Sequence, residues 1–183
     1  MPTEPTRTSR RLGPGAWMAI ALLLATVGYL VAARGPSPRW RAEYRVGGSV
    51  IAAAEPALDH RPPMRPPGDE GGEGPFTAEW ETCLEMPTAG SVAFLLTSSG
   101  RARLYVDDAL VIDDWDSHWL GSQGTKHALE AGHHLVRVTY EAPPTSAAIT
   151  LAASFGIEPP TDLPAERLSM PGEASTARCA SGP

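Results

Sequence analysis

The chain has 183 residues and a formal net charge of −6, which allows one ordinary domain with a core and flanking segments, and supplies no basic footprint for nucleic acid. Its 19 Pro and 18 Gly concentrate at 56–75 and 157–183 and mark loops or linkers there. Asn is absent, so there is no N-glycosylation acceptor and no Asn for a ligand shell; Lys126 is the sole Lys among 15 basic residues, a bias read as that of a GC-rich bacterial gene.

Residues 1–15 are polar and carry Arg7, Arg10 and Arg11. Residues 16–33, AWMAIALLLATVGYLVAA, hold no charge, and Arg34 ends the run. At about 1.5 Å per residue this stretch spans roughly 27 Å, enough for the hydrocarbon core of a bilayer. It reads as a transmembrane signal anchor, with 1–15 cytoplasmic and the rest of the chain outside the cytoplasmic membrane. The competing reading is a signal peptide cleaved near Ala33, after Val31-Ala32-Ala33, which would leave a secreted or periplasmic protein. A buried globular helix is disfavoured because the run has no polar face. Arg34, Arg39, Arg41 and Arg45 follow the run, so charge alone does not orient it; a lone N-terminal segment normally enters as a signal.

The domain proper is expected over 39–156. WRAEYRV is a short strand signal, and EPALDHRPPMRPPGDEGGEGP is too rich in proline for a helix and reads as a solvated connection. In FTAEWETCLEM the apolar Phe76, Ala78, Trp80, Leu84 and Met86 alternate with mainly polar residues, with Thr82 the exception. The pattern predicts a half-buried strand with Trp80 inward and Cys83 on the polar face. Cys179 is the other cysteine, and outside the cytoplasm the two thiols are expected to form a disulfide. A Cys nucleophile would want a nearby His, which Cys83 lacks.

From 90 to 140 short apolar runs alternate with turn residues, the pattern of an antiparallel array. Ala102, Leu104 and Val106 alternate with Arg101, Arg103 and Tyr105, and Asp107-Asp108 predicts a tight hairpin turn, since Asp tolerates the left-handed conformation. His133-His134 fall on opposite faces of a strand and do not make a metal pair. SAAITLAASF gives a closing strand, with Ile149, Leu151, Ala153 and Phe155 on one face. Residues 157–183 show no period and read as a Pro-rich tail, tied back by Cys179 if at all.

The order of these features resembles the PA14 domain family. The resemblance rests on Trp40 to Tyr44, Trp80, the turn Pro87-Thr88-Ala89-Gly90, Ser98-Ser99-Gly100, Arg103-Leu104-Tyr105-Val106-Asp107-Asp108, Val111-Ile112-Asp113 with Trp115, Leu129-Glu130-Ala131-Gly132-His133, and Val136 to Tyr140. It covers roughly 39–156 and implies an antiparallel β-sandwich or barrel. It also implies a non-catalytic module of cell-surface proteins whose best-understood activity is carbohydrate binding. Sugar-binding relatives hold calcium with two adjacent Asp residues and an Asn. Ser98-Ser99 stand where that acidic pair is expected, and hydroxyls are weak ligands for calcium, so calcium is possible in the family but no metal or cofactor is carried over to this chain.

The most site-like local piece is IDDWDSHWLG. Carboxylates accept hydrogen bonds from sugar hydroxyls, and Trp faces stack on pyranose rings. The candidate ligand set is therefore Ser98, Ser99, Asp113, Asp114, Trp115, Asp116, His118 and Trp119. The bland alternative is a turn in which Asp113 caps backbone amides and Trp115 enters the core. No catalytic residue is assigned: adjacent Asp residues on one loop do not make the facing carboxylates of a glycosidase, and no nucleophile elbow, phosphate loop or zinc motif is present. The expected function is glycan or polysaccharide binding at the cell envelope. The runners-up are a protein-interaction or accessory module with an envelope protein as partner, and a separated domain of a larger carbohydrate-active protein.

Overall fold

The computed structural model describes residues 37–68, 74–116, 119–172 and 179. These residues form two antiparallel sheets with the core between them. Strand β1 (Trp40–Val46) turns through Gly47-Gly48, at φ 54° and 88°, into β2 (Ser49–Glu55). Two consecutive positive φ angles suit the twist of a two-residue hairpin and are unstrained in glycine. The sequence reading had no strand at β2, because VIAAA lacks the alternation that reveals a half-exposed strand. The Pro-rich connection after Glu55 is mostly loop, as expected, apart from the two residues of β3 (Asp59–His60).

Strands β4 (Thr77–Met86), β5 (Gly90–Ser99), β6 (Arg101–Val106), β7 (Ala109–Asp114), β8 (Gly121–Leu129), β9 (Gly132–Glu141) and β10 (Ala148–Ser154) follow. The larger sheet runs β2-β1-β4-β9-β6-β7 and the smaller one β10-β5-β8, with β3 paired to β10. Sequence alternation becomes burial directly: Ala102, Leu104 and Val106 of β6 and Val136, Val138 and Tyr140 of β9 are all buried. Asp107 and Asp108, at φ 50° and 64°, make the predicted hairpin turn.

Trp80 lies at the centre of the core, edge-on to Tyr44 at 5.6 Å and tilted to Tyr140 at 6.2 Å. A buried indole N–H needs an acceptor, and Trp80 Nε1 donates to Glu55 Oε2 at 3.0 Å. Tyr44 donates its hydroxyl to the same carboxylate, and His60 Nε2 approaches it at 2.8 Å. Burial alone would push the Glu55 pKa up, but the hydrogen bonds from His60 and Tyr44 outweigh it and hold the group below the usual carboxylate range. His134 is likewise a structural residue. Its Nδ1 meets Asp107 Oδ2 at 2.6 Å and its Nε2 the Glu130 carbonyl at 3.0 Å. Burial opposes the charged imidazole, yet the bonds to Asp107 and Glu130 prevail and raise its pKa.

Two expectations are corrected at β4. Cys83 is buried rather than on a polar outer face, and residues 157–183 are not a bare tail. Thr161–Asp162 (β11) pairs with β10, and a single 3-10 turn at Ala165–Arg167 leads to Leu168–Ser169 (β12), which pairs with Cys83 and Leu84 of β4. β12 continues the edge of β4 beyond β1, and on the face that alternation alone assigned to solvent Cys83 is buried and bonded to Cys179. Thr82, the exception in the apolar face, donates its hydroxyl to the Arg39 carbonyl at 2.8 Å and lies 3.3 Å from the Ser169 carbonyl, so it serves β1 and β12 where both meet β4. The expected transmembrane segment 16–33 and the segment 1–15 lie outside the described residues; among the described residues no helix is long and apolar enough to cross a membrane.

Cys83 and Cys179 form the expected disulfide across a sequence separation of 96. A loop of that length gives about 4–5 kcal/mol in the chain-entropy model. Reduction, or Cys179→Ser, is expected to lower the urea midpoint by an amount equivalent to a few kcal/mol. An unchanged midpoint in reductant would show that β12 holds the C-terminal segment without the bond.

Candidate binding site

One end of the sandwich collects the last residues of β5, β7 and β9 and the first of β6, β8 and β10. Ser98 is in register with Gly121 and Ile149, and Ser99 with Ala148. Gly100 follows at φ 98°, and a Cβ there would stand 2.5 Å from the Glu141 carbonyl oxygen, so the chain can pass from β5 to β6 at this point only as glycine.

Ser98 and Ser99 are buried and their hydroxyls are used internally. Ser98 Oγ donates to Asp114 Oδ2 at 3.2 Å, and Ser99 Oγ donates to the Ser146 carbonyl at 2.8 Å. Tyr140 completes the arrangement: its hydroxyl donates to the Ser99 carbonyl at 2.5 Å and accepts the Ala148 N–H at 3.1 Å. Burial raises the phenol pKa against the opposing pull of the Ser99 hydroxyl and the Ala148 N–H, so Tyr140 stays a neutral donor. These groups tie the two sheets together beneath the loops and do not present hydroxyls to solvent.

The expected acidic loop divides into separate parts. Asp113 and Asp114 are strand residues of β7 and point to opposite faces, Asp113 exposed and Asp114 buried. A β-bulge between Leu104 and Tyr105 shifts the hairpin register. Without it a two-residue turn would set Arg103 opposite Ile112; with it Arg103 opposes Asp113. Arg103 Nε donates to Asp113 Oδ1 at 2.8 Å, and its guanidinium lies 4.1 Å from the Trp115 ring centroid. Trp115 is therefore half-buried under Arg103, not in the core, and Asp113 bonds a guanidinium instead of capping a turn. Asp116 is exposed, His118 lies outside the described residues, and Trp119 is 84% exposed beside Leu120 at 54%.

The structure thus brings Ser98 to Asp114 and Asp113 to Trp115 through Arg103, and turns Ser99 away to Tyr140 and Ser146. Arg103, Tyr140 and Ser146 were missed by sequence reasoning. The hairpin turn pointed to Arg103, but the bulge that fixes its partner leaves no local mark. The calcium site of the family does not fit here. Its expected positions hold two buried, hydrogen-bonded hydroxyls, and no cluster of three His, Cys, Asp or Glu that could hold a metal occurs among the described residues.

The PA14 domain model matches residues 65–157. No curated protein matches the sequence. Among solved structures, an anti-sigma factor domain-containing protein is similar at TM-score 0.63 and 20% identity, over 74% of this chain and 49% of that one, so this chain spans about half its length. The PA14 sugar-binding domain from an RTX adhesin is similar at TM-score 0.58 and 13% identity, over 73% of this chain and 98% of that one. The epithelial adhesin 9 A domain from Candida glabrata, in complex with Galβ1-3GlcNAc, is similar at TM-score 0.51 and 10% identity, over 70% and 93%. At these identities the likeness is one of fold.

Tyr140→Phe is expected to cost about 1–3 kcal/mol in chemical denaturation, because the Ser99 carbonyl and the Ala148 N–H both lose a buried partner. A cost below about 0.5 kcal/mol would mean that the hydroxyl is not what joins the sheets at this end.

Proposed function

This chain belongs to the PA14 domain family, and from that premise we propose that it is a non-catalytic module that binds carbohydrate at the end of the sandwich carrying Asp116 and Trp119. The observation that carries this reading is the exposure of Trp119, 84%, at the start of β8. An indole held in water on a loop anchored by two strands is suited to stack on the C–H face of a pyranose, and the exposed Asp116 carboxylate can accept hydrogen bonds from its hydroxyls. Relatives of the same fold include one titled a sugar-binding domain and one solved with a disaccharide. Binding here would proceed without calcium, since the hydroxyls of Ser98 and Ser99 are bonded internally.

The non-catalytic reading is supported by the geometry of β7. Glycoside hydrolysis needs two carboxyl groups facing one another about 5–10 Å apart across a cleft. Asp113 and Asp114 project from opposite faces of one strand, and Asp113 is paired with Arg103.

In glycan-array and titration measurements on the full chain, Trp119→Ala is expected to weaken binding at least about tenfold with an unchanged melting temperature. Retained affinity would move the site elsewhere, and hydrolysis of any glycoside by the purified chain would overturn the non-catalytic reading.

We further propose that the domain stands outside the cytoplasmic membrane, held by residues 16–33. The apolar length of that segment and the Cys83–Cys179 disulfide support this placement. Alkaline phosphatase fused after Pro183 is expected to be active in cells; an inactive fusion would reject the placement.

A further inference from the structure

The end of β10 farthest from Trp119 carries a second concavity that the proposed site does not use. After Ser154 the chain loops out through 155–160 and returns as β11. The Ser154 hydroxyl pins the loop by donating to the Glu158 carbonyl at 2.6 Å. The loop bounds a cavity of about 420 Å³, walled by Ser154, Phe155, Glu158, Thr161 and Asp162. Phe155 also walls a second cavity, of about 220 Å³, beside the turn at 87–91. Arg167 walls this smaller cavity, with its guanidinium 4.4 Å from the Phe155 ring centroid.

The chemistry of the two cavities differs. Among the described residues that line the smaller one, Arg167 alone is charged. Arg167 is half-buried and stacked on an aromatic ring, and it has no carboxylate within ion-pair distance among the described residues, whereas Arg41, Arg45, Arg61, Arg101, Arg103 and Arg137 all have one. A guanidinium pre-oriented on an aromatic face has its in-plane donors available for an oxyanion. The larger cavity is acceptor-rich, with Glu158 and Asp162. It falls in the range of about 300–1,000 Å³ usual for small-molecule sites. A neutral sugar would leave Arg167 unmatched, and a simple anion would leave the acceptor-rich cavity empty.

We propose that these two cavities, which share Phe155 as a wall, form a second binding site, for an acidic saccharide. The carboxylate of a uronate residue pairs with Arg167, and hydroxyls of the saccharide donate to Glu158 and Asp162 in the larger cavity. The sugar class rests on the carbohydrate reading above; the anionic group follows from Arg167. Strand β10 has seven residues, so the two sites stand about 20 Å apart and can be tested separately.

The test is calorimetric titration of the full chain with trigalacturonate, with neutral maltotriose and acetate as comparisons. Trigalacturonate is expected to bind, to weaken at least about tenfold in Arg167→Gln, to recover in part in Arg167→Lys, and to be unaffected by Trp119→Ala. Melting temperatures of both Arg167 variants check that the fold survives. No binding of trigalacturonate, equal affinity in Arg167→Gln, or equal affinity for maltotriose would each overturn the proposal. Acetate competing as strongly as trigalacturonate would also overturn it, by reducing the site to a simple anion site. Neutral-glycan binding that is absent, or unchanged in Trp119→Ala, with trigalacturonate still held by Arg167 would sink the first reading and leave this one standing.

Discussion

The hydroxyl of Tyr140 connects the two sheets of this protein. It leaves β9 in the larger sheet, donates to the Ser99 carbonyl of β5, and accepts the Ala148 N–H of β10, both in the smaller sheet. Apolar burial is non-directional and would tolerate some sliding of one sheet over the other. A buried polar group with two fixed partners does not, because any slide leaves a donor or acceptor unpaired. The Ser98–Asp114 bond makes a second crossing at the same end, between β5 and β7. Beneath the other outer strand of the larger sheet, Glu55 of β2 gathers Trp80, Tyr44 and His60, and His60 belongs to β3 in the smaller sheet. Polar contacts therefore pin the apolar core beneath both outer strands of the larger sheet, β7 and β2.

This arrangement gives the candidate binding end its character. The residues that stand where relatives hold a metal here serve as internal fastenings, and a fastening cannot also be a ligand. What reaches solvent is the loop they support, with Asp116 and Trp119, and the ridge formed by Asp113, Arg103 and Trp115. On the proposed reading, recognition at this end rests on side-chain surfaces presented by a rigid frame.

Much of the fold was legible in the residues. Alternation picked out Trp80, Ala102, Leu104 and Val106 as one face of their strands, and each is buried. The Asp107-Asp108 turn was readable because few residues accept two positive φ angles in succession. β2 was not, since a run of small apolar residues carries no period. The site was less legible. Asp113 and Asp114 look alike in sequence, but a strand sends neighbours to opposite faces, and the bulge at Val111 of β7 decided that Asp113 would meet Arg103. Ser98 and Ser99 looked available because short hydroxyl side chains carry no mark of what lies above them.

By itself, the sequence determined the family, the antiparallel all-β class, the apolar faces of β4, β6 and β10 and the pairing of its two cysteines. These follow from local periodicity, turn chemistry and the count of thiols, all of which are short-range or compositional. Only the tertiary structure decided that Cys83 is covered, that the C-terminal segment adds β11 and β12, that Ser98 and Ser99 face inward, and that Arg167 walls a cavity with no carboxylate partner among the described residues. Each of those depends on which distant segment returns to cover a given face, and no local pattern in the chain encodes that.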